Sequence, residues 1–218
     1  VSLVVFSGCS SLKDQAKSRE LLAKCEYTLE DVAVENISFT QVIELIETAK
    51  EVDWKDPDPE ILPLLNEIRK LNFELDFQEL DFQAAIGIYN PNDHEVVVDS
   101  LYFDAFLDES KIARVHHNTS MLISPNSNSV IETTMTVAKG IKLKKVRKAE
   151  EIQLRGKVWL KIELLKDYPV TLPMKFDVSR PVPREEINAL IDEQKRIVVA
   201  KIVKELLSGG IRNLFDQR

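Results

Sequence analysis

From residue 27 onward the chain is ruled by alternation of apolar and polar residues. Tyr27 and Leu29, then Val32 and Val34, then Ile37 and Phe39 form three short runs that slip by one residue between them. That pattern predicts a strand bulged where its buried face switches. Over 41–50 the spacing turns helical, with Val42, Leu45, Ile46 and Ala49 on one face. Asp56-Pro57-Asp58-Pro59 reads as a loop, since each Pro disfavours helix at the residue before it. Ile61, Leu64, Leu65 and Ile68 then align as a second short helix, so 41–72 is predicted to be a helical insertion.

Alternation returns with Phe73, Leu75 and Phe77, slips near Glu79, and continues as Leu80, Phe82, Ala84, Ile86 and Ile88. Asn90-Pro91-Asn92 is a turn. Val96 and Val98 are out of phase with Leu101, Phe103, Ala105 and Leu107, so a second bulge is predicted at Asp99-Ser100. Residues 111–119 predict a short strand, and 124–128 a turn. Ile131 to Val137, Ile152 to Leu164 and Val170 to Val178 each alternate cleanly, and Pro173 marks the last of these as an edge strand. Seven strands at near-regular spacing, without βαβ alternation, predict a mainly β protein: an immunoglobulin- or fibronectin-III-like antiparallel β-sandwich over 27–182.

A C-terminal amphipathic helix is predicted over 183–208. Pro183 and the acids Glu185 and Glu186 suit its start, and Gly209-Gly210 its stop, leaving 209–218 as a tail. Ile187, Leu190, Ile191, Ile197, Val198, Ile202 and Leu206 make an apolar stripe that must be covered. The chain's own sheet or insertion, a second copy or envelope protein, and a membrane surface are the three candidate covers. Five bases (Arg184, Lys195, Arg196, Lys201, Lys204) are matched by five acids (Glu185, Glu186, Asp192, Glu193, Glu205). That balance disfavours a membrane surface, where interfacial helices carry a basic excess.

The first residues, Val1-Ser2-Leu3-Val4-Val5-Phe6-Ser7-Gly8-Cys9-Ser10, run from apolar to small side chains directly before a Cys. This resembles the bacterial lipobox, with Phe6 where Leu is preferred. The resemblance implies that 1–8 is a signal-peptide remnant and that Cys9 is acylated and tethers the protein to a membrane. It also implies that 9–26 is a polar tether, and that Ser10 directs an exported lipoprotein to the outer membrane, facing the periplasm. Cys25 is then unpaired and is expected to behave as a small buried apolar group.

Charge and composition narrow the chemistry. With 36 acids, 29 bases and a net charge of −7, the chain lacks the overall basicity of a nucleic-acid binder. Its 2 cysteines and 3 histidines have no metal-site spacing, so no metal is expected. His116 and His117 are adjacent on a strand and point to opposite faces. Asp76 with Asp81, and Asp104 with Asp108, could meet across strands and raise a carboxylate pKa. Asp56, Asp58 and Glu60 lack the remaining ligands of a calcium loop. No nucleophile elbow or phosphate-cradling glycine pattern occurs, so neither an enzyme nor a cofactor is expected.

Ile86-Gly87-Ile88-Tyr89-Asn90-Pro91-Asn92, followed by Val96-Val97-Val98-Asp99-Ser100-Leu101-Tyr102, resembles the late embryogenesis abundant type 2 family, also called water stress and hypersensitive response domains. The likeness covers about 73–180 and departs from the family where Asp108-Glu109-Ser110 stands in place of a frequent Gly. It implies a non-catalytic sandwich with a stress- or desiccation-protective role, in bacteria often as a lipoprotein, and no transferable site residues. Asn90, Pro91 and Asn92 are expected to be structural. A carrier of lipid or another apolar ligand between sandwich and helices is the alternative, and would need an apolar cavity of roughly 300 Å³ or more.

Overall fold

A computed structural model describes residues 8–39, 77–138, 141, 143–164 and 169–215. The elements are α1 (Gly8–Leu22), β1 (Glu26–Phe39), β2 (Phe77–Asn90), β3 (Val96–Leu107), β4 (Ser110–Ile123), β5 (Ser127–Thr136), α2 (Leu143–Lys148), β6 (Glu151–Glu163), β7 (Pro169–Pro181) and α3 (Arg184–Phe215). The protein is mainly β, with two antiparallel sheets. Strand order is β1–β2–β5 in one and β4–β3–β6–β7 in the other. Relative to a constant-type immunoglobulin sandwich, the fourth strand has moved to the second sheet. The helical insertion expected at 41–72, and Asp56, Asp58 and Glu60 within it, lie outside the described residues.

The chain forms two compact units. The first holds Val1–Ala33, Phe82–Met135 and Ala149–Val182; the second holds Val34–Asp81, Thr136–Lys148 and Pro183–Arg218. The sandwich core of the first unit is the inward half of the alternation. Phe82, Ala84, Ile86 and Ile88 on β2, Leu101, Phe103, Ala105 and Leu107 on β3, and Leu154, Val158, Leu160 and Ile162 on β6 are all fully or almost fully buried. Tyr27 of β1 meets Phe176 of β7 with ring centroids 5.8 Å apart, which closes one sheet onto the other.

The slip at Asp99-Ser100 is a bulge. Register shifts between Val98 and Ser100 against both neighbouring strands, so Val98 and Leu101 both face inward. Strand β1 likewise buries Leu29, Val32, Val34 and Ile37, changing face twice as its three runs require. Pro173 lies on β7, the edge of the four-stranded sheet. Strand β4 is longer than the segment expected, running from Ser110 to Ile123.

At the centre of the sheet one position must lack a side chain. Gly156 pairs with Phe103 on one side and Phe176 on the other. The two phenyl rings meet edge to face over it, 6.1 Å between centroids. A Cβ at 156 would collide with the Tyr102 carbonyl oxygen and the Phe103 Cβ.

Asp108 adopts a left-handed φ of 52° in the β3–β4 turn. An Asp tolerates this region better than most residues. Its side chain also has a task that Gly could not perform: Oδ1 accepts the backbone N–H groups of Glu150 and Glu151, at 2.9 and 3.1 Å. The turn thereby fixes the start of β6.

Three expectations are corrected. The segment 9–26 expected as a polar tether is helical to Leu22, because Lys, Gln, Ala, Arg, Glu and Leu are strong helix formers. Glu20 of its last turn pairs with Lys24 just beyond its end, at 3.7 Å. The C-terminal helix does not stop at 208 but continues through Gly209-Gly210 to Phe215, so 209–215 is helix rather than tail. A glycine costs a helix about 1 kcal/mol, too little to end one whose residues otherwise favour it. Asp104 and Asp108 do not form an acid pair: Asp104 is held by Lys111 at 2.7 Å and Arg114 at 2.8 Å.

In the second unit, Ile187 and Ile191 of α3 are buried and Leu190 is half-buried. The Val34 N–H donates to Glu186 Oε1 at 3.4 Å, and Arg147 Nε of α2 donates to Asn188 Oδ1 at 2.8 Å. The apolar stripe is imperfect. Ile197 is 39% exposed, while Lys195, expected on the polar face, is only 7% exposed, on the same helical line as Ile187 and Ile191. Burial first, then the nearby Arg147, hold the Lys195 ammonium below its ordinary pKa. The side chains of Val198, Ile202 and Leu206 fall outside the description.

Candidate functional site

Two regions of the first unit gather chemically distinctive side chains. The first is the Asn90-Pro91-Asn92 turn. Asn90 is fully buried. Its Nδ2 donates to the carbonyls of His94 (2.9 Å), Ile123 (3.2 Å) and Ser124 (3.2 Å), and its Oδ1 accepts from Asn92 N (3.1 Å) and Nδ2 (2.9 Å). Asn92 Nδ2 also donates to Leu21 O, at 3.0 Å, at the end of α1. One amide thus ties the β2–β3 turn to the end of β4, and its neighbour ties both to the helix that carries Cys9. Pro91 presets the backbone between them.

Cys25 lies beside this knot, buried, with Asn92 Nδ2 3.9 Å from its sulfur. Burial pushes its pKa up to about 11 from 9.0. Burial, and then Cys25 itself, likewise raise the phenol of Tyr27, whose hydroxyl has no partner among the described residues. A thiol raised in the folded state stays protonated and inert at neutral pH. Two outcomes are expected. In Cys9→Ala protein, native Cys25 should resist maleimide at pH 8 and react only once the chain is unfolded. Stability from this group is complete below pH 9 and is lost as pH rises towards about 11, because only the unfolded thiol ionises in that window. Rapid native labelling at pH 8 would contradict the burial.

The second region is the outer face of the four-stranded sheet, where side chains fall in rows set by register. Arg114, Asp104, Arg155 and Asp177 form one row across β4, β3, β6 and β7. Its charges alternate and compensate: Arg114–Asp104 is 2.8 Å and Arg155–Asp177 is 3.3 Å. The Arg114 side chain, with Lys111, holds the Asp104 carboxyl below its ordinary pKa. The next row is His116, Tyr102, Lys157 and Lys175. It contains no acid. Tyr102 is flanked by the His116 ring (6.3 Å between centroids) and the Arg114 guanidinium (5.6 Å). The row after that brings Trp159 opposite Pro173. Tyr102, Arg155, Gly156, Lys157, Trp159 and Lys175 line a shallow groove of about 480 Å³.

At one end of this face, Asp108, Glu109, Glu150, Glu151, Gln153 and Arg155, with Phe106, line an acidic cleft of about 570 Å³. Two of its carboxylates serve the fold: Asp108 caps β6, and Glu151 Oε1 accepts the Ser179 hydroxyl at 2.5 Å. Among the described residues no group of three His, Cys, Asp or Glu could hold a metal ion, and no helix is long and apolar enough to cross a membrane.

The outer face was missed by sequence reasoning that followed the inward half of each alternating run. Its signal was present in the other half: Arg155, Lys157, Trp159 and Lys161 occupy every second position of β6. His116 and His117 face opposite ways, and only His116 joins the face.

No protein-family model and no curated protein matches the sequence. Among solved structures, the chain is similar to the ApaA protein from Bordetella pertussis, at 14% identity, 71% of this chain, 95% of that chain and a TM-score of 0.34. It is also similar to a protein described as late embryogenesis abundant, at 14% identity, 81% and 84% coverage and a TM-score of 0.30. A protein from Arabidopsis thaliana is similar at 11% identity, 72% and 80% coverage and a TM-score of 0.30.

Proposed function

We propose that the protein is a non-catalytic, lipid-anchored domain of the bacterial envelope, of the late embryogenesis abundant type 2 kind. It would protect or bind envelope components under stress or desiccation. Acylated Cys9 would hold it to the membrane, placing it at the outer membrane facing the periplasm, and α3 would offer a surface for an envelope protein or a second copy.

The observation that carries the reading is the hydrogen bond from Asn92 Nδ2 to Leu21 O. The turn on which the family resemblance rests grips the helix whose first turn carries the lipobox cysteine. Helix α1 also touches β6 and β7. Cys9 and Leu21 are 12 residues apart in that helix, so Cys9 stands about 18 Å along the axis from the grip, at 1.5 Å per residue. An anchor there would be presented on a short stalk rather than a loose tether.

The test is the intact mass of the protein expressed with a complete signal peptide in a Gram-negative host. Cleavage before Cys9 with added acyl mass is expected, together with membrane fractionation, both lost in Cys9→Ala. Several buried acyl chains at about 0.8 kcal/mol per CH₂ make that anchoring stable. A mature chain with unmodified Cys9 would refute it.

A further inference from the structure

We propose that the groove on the outer face of the four-stranded sheet binds an acidic saccharide, a sugar chain bearing carboxylates, with its rings against Trp159 and Tyr102 and its charges between Lys157 and Lys175. Two like charges set directly opposite each other across two strands repel. Lys157 and Lys175 are such a pair, both exposed, and no carboxylate partner is recorded for either among the described residues. In the neighbouring row of the same sheet each base is matched to an acid. An anion between the two lysines removes the repulsion.

Around them, Arg155 is paired with Asp177 and stacked over Phe106 at 5.3 Å, Lys111 and Arg114 share Asp104, and Lys161 lies one position beyond Trp159. The remaining acid of the mid-face is Asp99 on the bulge, which accepts the Thr171 hydroxyl at 3.4 Å; Glu151 and Glu163 sit at the two ends of β6. The mid-face therefore carries six bases against three acids in a chain whose net charge is −7. Trp159 and Tyr102 are half-buried, so their rings are held by the sheet yet open to the groove. Aromatic rings fixed in this way supply a flat apolar surface at little cost in side-chain freedom. The shallow groove crosses three strands, β3, β6 and β7, which gives a single chain a path across the sheet.

The inference deepens the binding role proposed above, but it is independent of the anchor, and it is tested on the unacylated chain. Oligogalacturonate, a neutral oligosaccharide of the same length, and phosphatidylglycerol vesicles are each titrated by calorimetry at low and high salt. Binding of oligogalacturonate alone is expected, weakened by salt. It should fall at least tenfold in the double variant Lys157→Gln, Lys175→Gln and also weaken in Trp159→Ala. It should persist in Lys144→Gln, Lys148→Gln, which removes the same charge from α2. Circular dichroism melts confirm that each variant is folded. Absence of oligogalacturonate binding, equal binding of the neutral sugar, binding to vesicles only, or unchanged affinity in the Lys157/Lys175 variant would overturn the proposal. None of these outcomes bears on whether Cys9 is acylated.

Discussion

Gly156→Ala is expected to destabilise the sandwich by about 3 kcal/mol or more, although it adds a single methyl group. Overpacking a well-filled core costs about 1–3 kcal/mol, occasionally more, and here the obstacle is backbone. The new Cβ would fall on the Tyr102 carbonyl oxygen and the Phe103 Cβ. Neither can swing aside, because β3 is held on both sides by β4 and β6. Moving β6 away would also part Phe103 from Phe176, whose rings meet over the glycine. For a chain of this size the melting temperature should fall by roughly 6–12 °C. Gly87→Ala provides the comparison. Its Cβ would meet the Glu30 and Thr28 side chains rather than backbone, and the Glu30 carboxylate can give way at the cost of its bond from Asn128. A loss of about 1 kcal/mol is expected there. A Gly156→Ala melt indistinguishable from the parent would show that β3 and β6 do not pair in this register.

The second large effect is expected at Asn90. Replacing it with Ala removes the donor to three carbonyls and the acceptor for Asn92, all at a buried position. Each buried polar group left unsatisfied costs about 1–3 kcal/mol, so a total of about 3–5 kcal/mol is expected by urea denaturation. Asn90→Asp should be as damaging, since it keeps the acceptor but sets a charge beside the same carbonyls. Asn92→Ala should be milder, because Asn92 Oδ1 is already buried without a partner and its removal offsets part of the loss. That variant releases Leu21 O. Its signature should be faster proteolysis within α1, at Lys17 or Arg19, with the sandwich intact. If Asn90→Ala unfolded at the parental urea concentration, the turn would be incidental to the fold.

The two sites differ in how far the sequence reveals them. Position 90 was visible as part of a turn because Asn and Pro act locally, through a fixed φ and a side chain bonding nearby backbone. The bulge at Asp99 and the edge position of β7 were visible for the same reason, one as a break in alternation and the other as a proline. Gly156 looked like any residue of an alternating run, since its meaning depends on which residues of β3 and β7 lie opposite. The row His116, Tyr102, Lys157, Lys175 was hidden in the same way: its members come from four strands and meet only through register. Nothing local marked Asp108, whose carboxylate caps a strand more than forty residues away. Lys195 misled because helical spacing indicates which residues share a line and not which line is buried.

The prolines of β7 bear on how this protein behaves at high concentration. Pro169, Pro173 and Pro181 are all odd-numbered, and β7 pairs with β6 without a register break. In an antiparallel pair alternate residues turn their N–H groups towards and away from the partner. Proline has no N–H, so the three are compatible with the β6 ladder only if their parity faces outward. Among the described residues β7 ends its sheet, and that edge lacks a donor at three of its seven outward positions, with Lys175 adding a charge between two of them. A strand from another molecule would find an interrupted template there. Where these molecules are crowded together, such an edge works against their joining into fibrils.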